Sequence, residues 1–77
     1  MHKLLDTVAL TQDLPAASLR KGDVGAVVEV LSPDAYEVEF VAASGRTQAL
    51  VTVSDSQIRA LGDKDLIAVR SLASADA

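Results

Sequence analysis

Apolar and polar positions alternate with a period of two through most of the first sixty residues, the spacing of strands with one buried face. Asp6–Thr11, DTVALT, reads as a first strand. Gln12–Asp23 reads as a long loop carrying Pro15, small residues and the basic pair Arg20-Lys21. Val24–Val30 follows as a second strand, Ser32-Pro33-Asp34 as a turn, and Tyr36–Val41 as a third strand. Ala42–Gly45 is a tight turn in which Gly45 supplies a positive φ, and Arg46–Val53 is a fourth strand. Ser54–Gln57 suits one helical turn, because Ser and Asp satisfy exposed backbone donors, and Ile58–Leu61 suits a short fifth strand.

Face parity sharpens this layout. Hairpin pairings of Val41 with Arg46, of Val30 with Tyr36 and of Val28 with Val38 keep apolar residues on one side. The expected inner set is Val24, Ala26, Val28, Val30, Tyr36, Val38, Phe40, Ala49, Val51 and Val53, joined by Val8 and Leu10. The predicted class is mainly β: an SH3-like small antiparallel five-stranded barrel over residues 1–61, with a long first loop. Residues 62–77 form a C-terminal extension, with a short helix or an extra strand expected over Asp65–Leu72. Leu66, Ile67 and Val69 are expected to be buried against the barrel or a second copy of the chain.

The run KGDVGAVVEV resembles the start of a KOW-type module, where Gly-Asp and Gly-x-Val set a turn into a curved strand. A longer set of residues resembles the short bacterial proteins grouped as domain of unknown function 4926. These are Leu4–Leu10, Asp13–Pro15, Leu19–Val30, Tyr36–Val41 and Gly45–Thr47. That resemblance implies a small β domain and carries no activity with it; an antitoxin-like or accessory role beside another small protein is the association it suggests.

Composition narrows the function classes. Seventy-seven residues with 49% hydrophobic and 23% charged positions make one globular domain near the lower size limit for a core without disulfides. With no cysteine there is no thiolate ligand and no thiol nucleophile, which fits a reducing cytoplasm. The opening MHKLLDTVAL lacks the apolar stretch of a signal peptide, and no segment is long enough to span a bilayer. The net charge of −4 argues against a phosphate-backbone binder.

No catalytic, cofactor or metal site is expected. His2 is the sole histidine and reads as a solvent-exposed residue near the chain end, without the third group that orients a base. Gly22-Asp23-Val24-Gly25 lacks the spacing of a phosphate cradle and reads as a turn into a bent strand. Glu29, Glu37 and Glu39 fall on the outer sheet face, bordered by Val27, Val41 and Leu50, with Arg46 placed to neutralise Glu39. This set, Glu29, Glu37, Glu39, Val27 and Leu50, is the expected surface for another protein of basic character, and self-association is a second expectation. The alternative site, for nucleic acid, is Arg20 with Lys21. A grip on proline-rich peptides needs an exposed aromatic cluster, and the only aromatics, Tyr36 and Phe40, are both assigned inward.

Overall fold

The computed structural model describes residues 1–72. Five strands follow the predicted order: β1 (Thr7–Leu10), β2 (Val24–Ser32), β3 (Ala35–Val41), β4 (Thr47–Ser54) and β5 (Ile58–Ala60). They form one antiparallel sheet in the order β4-β3-β2-β1-β5. This is the mainly β, five-stranded antiparallel domain expected. Among the described residues no ladder joins β4 to β5, so the sheet curls without the pairing that would close it as a barrel.

The helical turn before β5 is a 3₁₀ turn, Asp55–Gln57, where the Ser54 N–H donates to Gln57 Oε1 at 2.8 Å. In the β3–β4 turn Gly45 takes φ +90°, and the Ala42 N–H donates to the Arg46 carbonyl at 2.9 Å. The long first loop folds back on itself. A 3₁₀ turn at Pro15–Ala17 brings Leu14 opposite Leu19, which drops into the core as a plug. The core is otherwise Val8, Leu10, Val27, Tyr36, Val38, Phe40, Val53 and Ile58, with Ala49 and Val51 partly buried against it.

Strand β2 departs from the expected parity. Val27 pairs with Val38 and is fully buried, whereas Glu29 pairs with Glu37, so Val28 is an extra residue in the ladder. One inserted residue exchanges the two faces of a strand. Gly25 and Val27 therefore point inward before the bulge, where Val24 and Ala26 were expected. After it Glu29 is outward and Val30 lies opposite Tyr36, as anticipated, but Val28 and Val30, expected in the core, are exposed. A second shift makes Leu31 an extra residue as well.

The β3–β4 register also moves, by two residues. Tyr36 faces Val53, Val38 faces Val51 and Phe40 faces Ala49: a turn one residue longer pairs Val41 with Thr47 instead of Arg46, and Gln48 is then an extra residue in the ladder. A shift of two preserves parity, so Ala49, Val51 and Val53 keep the inner face. Arg46 consequently belongs to the turn rather than to β4.

Gly25 sits where β2 passes from β1 to β3, opposite Val8. A Cβ there would lie 2.8 Å from the Glu39 carbonyl oxygen and 2.9 Å from Phe40 Cε2. Only a residue without a side chain lets the strands approach this closely.

The extension is neither helix nor strand between Asp65 and Leu72. It runs as a strap fastened at both ends. Arg59 grips Asp65 with two hydrogen bonds of 2.9 Å, and Arg70 reaches back to Asp23. Leu66 and Val69 are 94% and 96% exposed, and Ile67 is also exposed, so these side chains are not buried against the chain's own sheet. Polar anchoring, not apolar packing, holds the strap.

Candidate functional site

The outer face of β2, β3 and β4 carries the acidic cluster in two adjacent rows. Glu29 lies opposite Glu37, which lies opposite Thr52. In the next row Ala26 lies opposite Glu39, which lies opposite Leu50. Antiparallel neighbours a strand apart are only about 4.5–5.5 Å from one another at Cβ, so the first row opposes two carboxylates directly. Among the described residues none of the three glutamates forms an ion pair.

Two threonines of β4 brace this face. Thr47 Oγ1 donates to Glu39 Oε2 at 2.5 Å, and Thr52 Oγ1 donates to Glu37 Oε2 at 3.3 Å. The expected neutralisation of Glu39 by Arg46 does not occur, because the register places Arg46 in the turn and Thr47 beside Val41. Leu50 is 59% exposed in the Glu39 row, and Val41 is exposed on the flanking position of β3. The result is a shallow acidic surface with an apolar border.

Four of the five residues expected on the partner surface are therefore together: Glu29, Glu37, Glu39 and Leu50. Val27 is not among them. The bulge at Val28 turns it into the core, and this corrects its assignment to the outer face.

The alternative pair, Arg20 and Lys21, is exposed on the first loop. Both backbone N–H groups are used in the loop itself: Arg20 donates to Asp23 Oδ2 and Lys21 to Asp13 Oδ1, each at 2.8 Å. Their backbones are thus anchored to two carboxylates of the same loop region. Arg70 and Arg20 border a shallow cleft between the first loop and the strap, but the Arg70 guanidinium is engaged by Asp23 and by the Ser18 carbonyl. Its hydrogen bond to Asp23, opposed by partial burial, leaves the Asp23 carboxyl below its ordinary pKa.

Gly22-Asp23-Val24-Gly25 works as a turn and a crossing point. Gly22 takes φ +92°, the Asp23 side chain takes the strap, and Gly25 admits the neighbouring strands.

His2 differs from its expected exposure. Its side chain is only 9% exposed, lying edge-on to the Tyr36 ring with centroids 5.3 Å apart and Nε2 3.5 Å from Asp55 Oδ1. Tyr36 Oη accepts the His2 N–H at 3.1 Å and donates to the Pro33 carbonyl at 2.9 Å. The buried phenol is thereby satisfied, and this cluster pins the N-terminal segment to the β2–β3 turn. Sequence alone offered no sign of it, because the partners are 34 residues apart. Among the described residues no group of three or more His, Cys, Asp or Glu is placed to hold a metal ion, and no helix is long and apolar enough to cross a membrane.

A small curled antiparallel sheet with a polar outer face defines the structural class. The chain belongs to the family described as Domain of unknown function (DUF4926), which it matches over residues 4–60. The match covers every strand and stops where the strap begins. No curated protein and no solved structure matches the chain.

Proposed function

We propose that this protein is a non-catalytic interaction module that docks a basic protein partner on the outer face of β2, β3 and β4. The role is that of an accessory or antitoxin-like companion to another small bacterial protein. The observation that carries the reading is the pair of rows holding Glu29, Glu37 and Glu39, none of which forms an ion pair among the described residues. Like charges directly opposed on a sheet cost stability, and a cationic partner would convert that cost into binding energy. Leu50 and Val41 add apolar area at the border, where a docked chain would exclude water.

The test is capture of partners from native cells on the immobilised protein, at low and raised salt, beside the Glu29→Lys/Glu37→Lys/Glu39→Lys variant. A stoichiometric basic partner lost with the variant and weakened by salt supports the reading. Equal capture by both proteins overturns the surface. Recovery of nuclease-sensitive RNA, lost on changing Arg20 and Lys21, would replace it with the nucleic-acid reading.

A further inference from the structure

The two edges of the sheet are unlike. β5 is three residues long, carries Arg59, and leads directly into the strap that Asp65 fastens beside it. Short length, charge and a covering segment are the means by which edge strands avoid pairing with other chains. Among the described residues the strap comes beside β4 at Gln48, where Arg70 and Leu72 line the same cleft, but β4 is neither short nor charged. It is eight residues long, TQALVTVS, without a charge or a proline, and its one irregularity, at Gln48, leaves Ala49–Ser54 regular. Among the described residues its ladder is to β3 alone, and no turn or loop backbone hydrogen-bonds to it.

We propose that β4 pairs antiparallel with β4 of a second copy of this chain, joining two five-stranded sheets into one. A two-fold register centred on Val51 sets Leu50 opposite Thr52 of the second copy and Ala49 opposite Val53. Inner residues then meet inner residues and outer meet outer, as a continuous sheet requires. No charged residue opposes another across this register, so the strand is complementary to itself. A foreign strand would need its own matching pattern.

The acidic faces do not prevent the pairing. Glu39 and Glu37 of the second copy would be separated by three strand spacings, about 14 Å at about 4.8 Å each. That exceeds the Debye length of about 8 Å at physiological ionic strength, so their repulsion is screened. Because the contact is two-fold and the β5 edge is blocked, assembly closes at the dimer instead of extending into a fibre.

Sedimentation equilibrium over a range of protein concentrations and salt tests this. The expected mass rises from 8.0 kDa toward twice that value with concentration, and more readily at high salt. Leu50→Lys/Thr52→Lys should remain monomeric while keeping the far-ultraviolet circular dichroism of the parent. A parent that stays monomeric throughout overturns the proposal. So does a folded variant that still dimerises, which would move the contact to another surface such as Leu66 and Val69. Should the variant not fold, amide exchange on the unaltered protein decides: Ala49–Ser54 amides slowed at high concentration support the pairing, and unchanged rates overturn it. The inference stands apart from the basic-partner reading, since docking on the acidic face weakens with salt while this pairing strengthens.

Discussion

Arg70 Nε donates to Asp23 Oδ1 at 2.8 Å across 47 residues of chain, tying the strap to the entrance of β2. The bond holds the Asp23 carboxyl below its ordinary pKa. A lowered folded-state pKa means that folding favours the ionised form. The stabilisation is complete above the ordinary Asp pKa of about 3.9 and disappears as the pH falls below it through the lowered value. Arg70→Ala should therefore leave the sheet folded and free the strap. Limited proteolysis should cut the variant between residues 62 and 69 much faster than the parent, and its acid-unfolding midpoint should rise toward neutral pH. Equal cleavage would show that the strap is held elsewhere.

At the other end of the strap, the Arg59 fork holds Asp65 to a pKa of about 2, with help from the Gly62 N–H. Carboxyl-carbon chemical shifts followed through an acid titration should give that value in the parent. Arg59→Ala should return it toward the ordinary carboxylate range, by only part of the shift, since the Gly62 hydrogen bond survives.

Gly25→Ala should destabilise the fold by about 1–3 kcal/mol, the cost of overpacking a close-packed site. The added methyl would meet the Glu39 carbonyl oxygen at 2.8 Å, and backbone cannot swing aside as a side-chain tip can. Urea unfolding would show a lower midpoint at unchanged slope. An unchanged midpoint would mean that β2 can lift away from β3 freely.

Relief of the opposed carboxylates should act in the opposite direction. Glu29→Thr removes one member of the Glu29–Glu37 pair and places a β-branched side chain on the sheet. Thermal unfolding at low salt should show a gain of about 0.2–1 kcal/mol, smaller at high salt. A loss would mean that the outer face already neutralises this pair within the chain.

The positions of the strands were legible because alternation and turn residues agree along the chain. Ser54–Gln57 and Gly45 marked their turns through chemistry that acts within four residues. The pairing of Glu29 with Glu37, and of Val30 with Tyr36, could also be read, since the turn at Ser32-Pro33-Asp34 fixes both. The bulges could not. Val27, Val28 and Val30 are the same residue type, and nothing local says which one the ladder omits, so Val27 was assigned to the wrong face. The Arg70–Asp23 tie and the His2–Tyr36 contact escaped for another reason: each depends on where distant segments return. The apolar Leu66, Ile67 and Val69 suggested packing against the barrel, whereas the strap is held there by its charged residues.

The β1–β5 ladder joins Leu10 to Ile58, while β2, β3 and β4 pair with their immediate successors or predecessors. Closing a loop of that length costs chain entropy that neighbouring hairpins do not incur. The meander of β2, β3 and β4 is therefore the region able to order first, and the β1–β5 seam the one to form last and open first. Conservative truncations at Ile58 should accelerate unfolding with little change in folding rate, and those at Val38 should slow folding. Order of assembly thus runs outward from the middle of the chain, and the two ends meet only when the rest already stands.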